Sequence, residues 1–329
     1  MLKVVKAQGI GLVSDLGRPG YLGQGVPIGG TMDTYSMVLA NAALGNASHD
    51  AVLECMGTFE LVVSKPGSLM VGTRSGRVLV NKAAVMPGRV VWTDVGDIID
   101  IQPAHLAWWT VLALRGGVRV PEVLGSRSTC MAGQFGGLEG RALKVGDVIH
   151  THPAEHDRFD RNARTTAIGL AMPLAHATQG DPRKVPVDIA CLPGPELPQV
   201  GDEGLHLLFQ QIYTVQAQSN RQAFRLKAHR ALPTHRMPAM KSHAVHPGLI
   251  QLPPDGQPIV LMPDAQATGG YPRVASVLSS QMWKLGQMAP GQRVRFKLVD
   301  FEQAISLNQA HERERIEFLQ LVEQHFHQR

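Results

Sequence analysis

The sequence predicts a mainly β protein in which short strands close, or nearly close, into barrels. Segments of alternating apolar and polar residues are frequent, and period-two alternation is typical of strands with one buried face. The 34 glycines and 22 prolines divide the chain into short pieces, as expected for many turns. Only two segments have convincing helical periodicity. Several short strands at regular spacing favour barrels over a single open sheet.

The strands are predicted from two kinds of segment. Alternation is clearest in residues 77–92, 105–117 and 248–262. A second pattern places a glycine and a polar residue before an alternating run, in residues 95–101, 145–151 and 290–296. Glycine permits the tight backbone of such a turn, after which the strand returns to the sheet.

The two helices are predicted at residues 32–45 and 301–326. The first has apolar residues at helical spacing and a Gly–Asn stop. The second follows Asp300, an N-cap candidate that Gln303 can support. One stripe of the second helix is apolar and is predicted to pack on its own domain rather than on a partner helix; it consists of Ile316, Leu319, Val322 and Phe326.

The length of 329 residues leaves room for two domains. The charged connector 154–166 and the polar stretch 180–186 separate two halves, so we predict an N-terminal barrel domain at residues 1–185. A C-terminal barrel domain with the terminal helix then covers residues 186–329.

The composition bears on which partners the protein can bind and in which cellular compartment it functions. The chain is 44% hydrophobic and 18% charged with a net charge of +5, and its cations are scattered, so we expect no nucleic-acid partner. The cysteines Cys55, Cys130 and Cys191 form no CxxC pair, which fits a reducing compartment. No apolar run has the length of a signal peptide or membrane span, so we expect a soluble, cytoplasmic protein without membrane contact.

Two apparent motifs are better explained without chemistry. His150, His152 and His156 cluster near a strand end, but no ligand spacing of a known type surrounds them, so we expect no metal site. Residues 238–243 include Lys241 in a biotin-like Ala-Met-Lys context. A second Met and a dedicated small domain are missing, so we expect no biotin on this chain.

Three glycine-rich polar stretches remain as candidate site segments: residues 14–33, 124–141 and 264–278. Glycine-rich backbone can approach a ligand closely and offer N–H donors to an anion. The alternative is a set of barrel loops whose polar side chains cap their own backbone. No P-loop, GxGxxG or GxSxG motif is present, so a standard nucleotide site is unsupported.

Together these stretches resemble the biotin-dependent carboxyltransferase family, the allophanate hydrolase subunit 2-like proteins. The resemblance covers residues 9 to about 304. The matching motifs are DLGRPGY, GVPIGGTMD, LANAALGN, GSRST, FGGLEGRALKVGD, PGPE, GLIQLPPDGQPIVLM, GGYPRVASV and PGQRVRF. It implies two cyclophilin-like β-barrels.

The resemblance also implies an activity. The family includes the C-type subunit of bacterial 5-oxoprolinase, a hydrolase that opens the cyclic amide 5-oxoproline to glutamate. That activity needs ATP, at a site shared with partner subunits, and it needs an A-type and a B-type (allophanate hydrolase subunit 1-like) subunit. The alternatives are a carboxyltransferase that moves a carboxyl group from carboxybiotin to a urea- or amide-like acceptor, and a non-catalytic regulator that binds a B-type partner.

The candidate site residues follow from the same motifs. The resemblance implies that the DxQxTGGYP loop lines the substrate cleft, with catalytic roles predicted for Asp264, Tyr271 and Arg273. We expect the arginines of all three stretches to pair with their carboxylates and to hold the loops in one cleft. The predicted substrate-binding residues are Asp15, Arg18, Asp33, Arg127, Ser128, Thr129, Arg141, Arg221, Gln266, Thr268, Gly269 and Gly270.

The chain departs from the family pattern at several of these positions. The largest change is in residues 219–226, where Asn220 stands for a usual Asp while Arg221 and Arg225 are retained. Losing this carboxylate removes a charge that could act as a base or pair with an arginine, which puts catalytic competence in question. The other departures are Ser14, Cys130, Gln222, Ala223, Ala267 and Gln281.

Overall fold

The structure is a computed structural model that describes residues 1–72, 77–86, 88–102, 108–153, 165–166, 183–234 and 240–327. The chain divides into two compact units. Unit 1 consists of Met1–Arg18, Gly29–Ala175 and Glu314–Arg329. Unit 2 consists of Pro19–Ile28 and His176–Arg313. The boundary predicted between residues 185 and 186 stays a prediction, and most of the charged connector lies outside the described residues.

Unit 1 is built on a ten-stranded sheet. The strands are β1 (Leu2–Ser14), β2 (Val52–Val63), β3 (Gly67–Val71), β4 (Arg77–Val80), β5 (Ala83–Val85), β6 (Val90–Thr93), β7 (Ile98–Gln102), β8 (Thr110–Leu114), β9 (Val148–Ile149) and β10 (Thr165–Thr166). Their order is β10-β6-β3-β8-β2-β7-β4-β5, and β1 pairs with both β2 and β9.

The core of unit 1 comes from the inward faces of these strands. β1 and β2 run antiparallel over their whole length, from Leu2 opposite Val63 to Ser14 opposite Val52. Because side chains alternate across a strand, one face of each can be buried. The buried cluster is aliphatic with one aromatic ring, and it includes Val4, Val13, Leu53, Phe59, Leu61, Ile99, Ile101 and Leu112.

Unit 2 contains a closed seven-stranded barrel in the order β11-β18-β15-β16-β13-β12-β19. Its strands are β11 (Val187–Pro193), β12 (Tyr213–Val215), β13 (Ala223–Ala228), β15 (Leu249–Gln251), β16 (Ile259–Leu261), β18 (Arg273–Val277) and β19 (Arg293–Leu298). A separate two-stranded sheet joins β14 (His243–Ala244) to β17 (Thr268–Gly269). β11 and β19 are parallel and close the barrel.

Four α-helices lie in the described ranges: α1 (Thr34–Ala43), α2 (Gly201–Gln210), α3 (Met282–Gly286) and α4 (Phe301–His327). The predictions of α1 and α4 are confirmed. Asp300 and Gln303 form the reciprocal cap: the Gln303 N–H donates to Asp300 Oδ1 over 2.8 Å, and the Asp300 N–H donates to Gln303 Oε1 over 3.1 Å. α2 and α3 were not predicted from the sequence.

The apolar stripe predicted on α4 is confirmed in part. Val322 is 4% exposed and Leu319 is half-buried, but Ile316 is 41% exposed, and the side chain of Phe326 lies outside the described residues. Phe318, which the stripe did not include, is 5% exposed, because the packing partner and not the apolar pattern alone selects the buried residues. The fold class is confirmed as mainly β, with two barrel-like sheets and a C-terminal helix.

No helix in the described ranges combines the length and the apolar character that crossing a membrane requires.

Candidate functional site

The first polar stretch is joined to the second by the carboxylate of Asp15, which is 5% exposed. Asp15 Oδ1 accepts hydrogen bonds from the Gly17 N–H (2.8 Å) and from the Ser126 and Ser128 hydroxyls (both 2.6 Å). Asp15 Oδ2 accepts from the Arg127 N–H (2.6 Å). Both oxygens are thus engaged by protein donors, so the structure gives Asp15 a loop-holding role, and its predicted contact with substrate stays a prediction.

Arg18 is buried in the same region, with 1% of its surface exposed. Its guanidinium carbon lies 5.0 Å from the centre of the Phe135 ring. Its side chain also donates to the backbone oxygens of Val123 (3.4 Å) and Ser128. Gly136 has φ +68°, and a Cβ there would overlap the Ser128 oxygen, so only glycine lets residue 136 approach the Ser128 backbone this closely.

Thr129 and Asp33, two further predicted residues of unit 1, form hydrogen bonds with protein atoms. The Thr129 hydroxyl donates to the Val13 oxygen over 3.0 Å. Asp33 is the N-cap of α1, where its Oδ1 accepts from the Ser36 N–H over 2.9 Å. These contacts position backbone, and the substrate roles predicted for Thr129 and Asp33 stay predictions.

Two arginines of the second stretch pair differently from the prediction. Arg127 forms an ion pair with Glu122 at 2.8 Å. Arg141 donates to Asp147 over 2.8 and 3.0 Å and to Glu139 over 2.8 Å. Burial raises the pKa of Asp147, but the Arg141 and Lys144 N–H donors outweigh it and leave that pKa lowered. Neighbouring carboxylates in sequence therefore replace the distant ones that we expected for these arginines.

In unit 2 the partner of Asp264 is Arg221. The Arg221 Nε lies 2.8 Å from Asp264 Oδ2, and its second nitrogen lies 3.2 Å from Oδ1. The Asp264 N–H also donates to the Arg221 backbone oxygen over 2.9 Å. This two-point pairing ties the start of the DxQxTGGYP loop to the turn before β13. Arg221, which was predicted to bind substrate, therefore pairs with Asp264.

Arg273, at the start of β18, is paired with Glu196 rather than left free for a ligand. Glu196 Oε2 accepts from the Arg273 N–H (2.8 Å) and Nε (2.9 Å), and Oε1 accepts from the second nitrogen (2.7 Å). These hydrogen bonds lower the pKa of Glu196 and raise that of Arg273. Glu196 belongs to the PGPE motif, for which no site role was predicted, and its pairing corrects the expectation of a free cation at position 273.

The loop between these two ion pairs presents its side chains to solvent. Gln266 and Thr268 are exposed, and Tyr271 is 42% exposed. At Gly269 a Cβ would lie 2.7 Å from the Gln251 side-chain nitrogen, so the loop approaches the barrel wall closely there. A Cβ at Gly270 would meet nothing nearer than 3.5 Å, so packing alone does not require that glycine.

Tyr271 borders a cavity of about 400 Å³ that lies wholly in unit 2. Arg225 of β13 lines the same cavity, and within the described part of the chain its guanidinium has no ion-pair partner. The remaining wall is polar and proline-rich, with Gln216, Asp255, Gln257 and Pro253 among its members. An unpaired cation beside a phenol suits a small carboxylate. In the sequence, Arg225 stood out only as a residue that the family pattern retains.

The departures from the family pattern have structural partners as well. Asn220 Oδ1 accepts from the Gln222 N–H (2.8 Å) and the Ala223 N–H (3.1 Å), which forms the turn before β13. Gln281 Oε1 accepts from Lys284 Nζ over 2.7 Å. An Asp at position 220 can accept the same bonds, so the change to Asn preserves the turn while it removes a charge.

The predicted residues thus fall into two groups. Asp15, Arg18, Ser128 and Thr129 meet in unit 1, and Arg221, Asp264 and the loop 266–273 meet in unit 2. The single cleft that would join the two groups stays a prediction. In the described ranges no group of three or more His, Cys, Asp or Glu side chains has the arrangement of a metal site, and His156 lies outside those ranges.

Comparison with known proteins identifies the family. The family described as carboxyltransferase domain, subdomain A and B, matches residues 24–298. The chain belongs to this carboxyltransferase-domain family.

The chain covers almost the whole length of some relatives and only a small part of others. It is 30% identical to the C-type subunit of 5-oxoprolinase from Escherichia coli (strain K12) over 95% of this chain and 96% of that protein. For the Haemophilus influenzae protein of the same name the identity is 29%, with the same coverage. The crystal structure of the K. lactis urea amidolyase matches with a TM-score of 0.79 and 26% identity, over 96% of this chain but only 20% of that one. The chain thus spans about a fifth of the urea amidolyase.

Proposed function

We propose that the chain is the C-type subunit of an ATP-dependent 5-oxoprolinase, which cleaves 5-oxoproline to glutamate together with A-type and B-type subunits. The observation that supports this most is the end-to-end similarity to two proteins that carry the name of this 5-oxoprolinase component. A separate subunit should match its relatives over their full length. The similarity to urea amidolyase covers only a segment of that protein.

The proposed chemistry starts from the stability of the lactam. An amide is resonance-stabilised, so its carbon must be activated before water attacks it. In the proposed reaction the lactam oxygen takes the terminal phosphoryl group of ATP, and ADP leaves. Water then adds to the activated carbon, and the ring C–N bond breaks as the nitrogen takes a proton, which leaves an acyl phosphate on the side chain. A second water hydrolyses this acyl phosphate and releases phosphate. The products are glutamate, ADP and phosphate, with ATP bound at a site shared between subunits.

The cavity beside Tyr271 supplies a place for the substrate carboxylate. Arg225 offers a guanidinium that forms no ion pair with any described residue, and the Tyr271 hydroxyl offers a donor at the same cavity. Charge-assisted hydrogen bonds of this kind fix the orientation of a carboxylate. The Arg221–Asp264 and Arg273–Glu196 ion pairs hold the two ends of the loop, so we assign positioning roles to Asp264 and Arg273 and substrate contact to Tyr271.

The assembled complex tests this proposal. With its A-type and B-type partners, the chain should release glutamate and phosphate from 5-oxoproline and ATP, and the chain alone should release neither. Arg225→Gln should raise KM for 5-oxoproline more than about tenfold, because a charged hydrogen bond is worth roughly 1.5–3 kcal/mol. Lys227→Gln, two residues along β13 and outside the cavity lining, is the matched control. Turnover by the isolated chain would contradict the subunit assignment.

Tyr271→Ala should leave folding intact and abolish the activity of the assembled complex, since its ring is 42% exposed and contributes little to the core. Tyr271→Phe separates the hydroxyl from the ring. If both variants retain full activity, Tyr271 does not contact the substrate.

A carboxyltransferase is the second candidate, and the similarity to urea amidolyase favours it. In this reaction the chain would move a carboxyl group from carboxybiotin, carried on another protein, to a urea- or amide-like acceptor. Incubation with labelled bicarbonate, a biotin carboxylase and a biotin carrier would place label in the acceptor. Label transfer without glutamate release selects this candidate over the hydrolase.

A non-catalytic regulator that binds a B-type partner is the third candidate, and Asn220 and Ala223 favour it because both depart from the family pattern. A stable complex with the B-type protein and no turnover on any supplied substrate would select it. Restoring the family residue with Asn220→Asp gives a direct comparison, because Asp keeps the acceptor oxygen that holds the turn.

A further inference from the structure

A second cavity, of about 700 Å³, lies in unit 1 and belongs to none of the three polar stretches. It opens between the start of β3, the end of β6, the end of β8 and the residues that follow β9. Cavities that hold small molecules typically enclose roughly 300–1,000 Å³. The cavity is therefore large enough for a metabolite-sized ligand.

The charge of its lining has one sign. Lys65, Arg115 and Arg119 contribute cations, and His150 and His152 contribute imidazoles. No carboxylate occurs among the described residues that line it. Clustered like charges repel one another, and a concave wall concentrates their field, so the cavity attracts a counter-ion.

The three cations differ in whether their side chains already bind protein atoms. The Arg115 guanidinium donates to the Leu44 backbone oxygen, which holds it in place. Lys65 and Arg119 are exposed, and neither side chain takes part in an ion pair within the described ranges. The Arg119 N–H donates to the His150 oxygen over 2.8 Å, so the segment that carries Arg119 lies next to the one that carries His150.

The inner wall is apolar. Leu69, Trp92 and Leu114 line the cavity and are all buried, with at most 7% of their surface exposed. Thr93 adds a hydroxyl, which donates to the Gly67 oxygen over 2.8 Å and so anchors β6 to β3. The cationic rim suits the charged groups of a small anion, and the apolar wall can pack against a carbon skeleton where the ligand has one.

We propose that this cavity is a binding site for a small multivalent anion that carries carboxylate or phosphate groups. Lys65 and Arg119 bind its charged groups, and Arg115 adds a fixed positive charge at the wall. The site is separate from the proposed 5-oxoprolinase function, and the inference does not depend on it.

Calorimetric titration of the full chain with citrate and with pyrophosphate tests the proposal. We expect one site per chain for at least one of them, with affinity that falls as salt rises because exposed charges are screened beyond about 8 Å at physiological ionic strength. Arg119→Gln and Lys65→Gln should each weaken binding roughly tenfold, the scale of one charged hydrogen bond. Lys6→Gln removes the same charge from β1 outside the cavity and should leave binding unchanged.

Several outcomes would overturn the proposal. One is that neither anion gives a heat of binding at millimolar concentration. Another is that Arg119→Gln and Lys65→Gln bind the anion with the affinity of the parent. The third is that Lys6→Gln loses as much affinity as they do. Thermal melts of the variants guard against unfolding as a cause of lost binding. If citrate binds and pyrophosphate does not, the groups recognised are carboxylates, and the reverse result identifies phosphates.

Discussion

Glu196→Gln is the most informative single change in unit 2, because it keeps the shape of the side chain and removes its charge. Glu196 accepts three hydrogen bonds from Arg273, and its side chain is 9% exposed, against 25% for Arg273. In the variant an NH₂ group faces the guanidinium donors. We expect a loss of about 2 kcal/mol, below the roughly 3–5 kcal/mol of a fully buried broken pair because water reaches Arg273.

Urea unfolding followed by fluorescence measures this loss, with Trp283 of α3 reporting on unit 2. A change of about 2 kcal/mol corresponds to a fall in Tm of about 4–8 °C for a unit of some 150 residues. Asp188→Asn is the matched control, since it breaks a two-point pair with Arg295 in the same barrel. Those side chains are 47% and 34% exposed, so we expect about 0.5 kcal/mol or less.

The same pair gives a pH dependence with a definite sign. The pKa of Glu196 is lowered in the folded protein, from its ordinary value of 4.5. Its contribution to stability is therefore fully present above about pH 4.5 and is lost as the pH falls through the lower folded value. Glu196→Gln should remove this part of the acid limb. Equal losses in Glu196→Gln and Asp188→Asn, or an unchanged acid limb, would refute the reasoning.

Three further predictions concern stability. Asp15→Asn places an NH₂ group among four donors and should cost about 3 kcal/mol in urea unfolding; a loss below about 1 kcal/mol would show that the loops hold without the charge. Gly136→Ala should cost about 2 kcal/mol or more in thermal unfolding because of its φ of +68° and the overlap with Ser128, whereas Gly67→Ala, with open space around it, should differ little from the parent. Asp300→Ala removes the cap of α4 and should cost about 1 kcal/mol, seen as reduced helical circular dichroism on heating; an unchanged melt would exclude a capping role.

The site illustrates how far local patterns carry. The DxQxTGGYP loop was predicted as a site segment from its polar density, and the structure places its Tyr271 at a cavity. Arg225 and Glu196 were missed as site residues, although Glu196 lies in the PGPE motif and Arg225 is retained from the family pattern. Each is a charged residue in or close after a strand, and that position in the sequence does not indicate which residue the neighbouring strand places opposite it.

The ion pairs could not be predicted because they depend on strand register. Glu196 follows β11 and Arg273 begins β18, and these strands run antiparallel with Pro193 opposite Ala275. That register brings two side chains 77 positions apart in sequence into contact. A one-residue shift would turn them to different faces, so the pairing is a property of the sheet rather than of either segment.

Elements with a local cause could be predicted from the chain itself. Asp300 and Gln303 are three positions apart and cap α4 through their own backbone, and Asp33 caps α1 in the same way. Alternating segments became strands because the period of two belongs to the strand itself. By contrast, the buried face of α4 and the carboxylates that Arg221 and Arg273 meet depend on the folded arrangement. Their partners are atoms from distant parts of the chain, and only packing and strand register bring those atoms within contact distance.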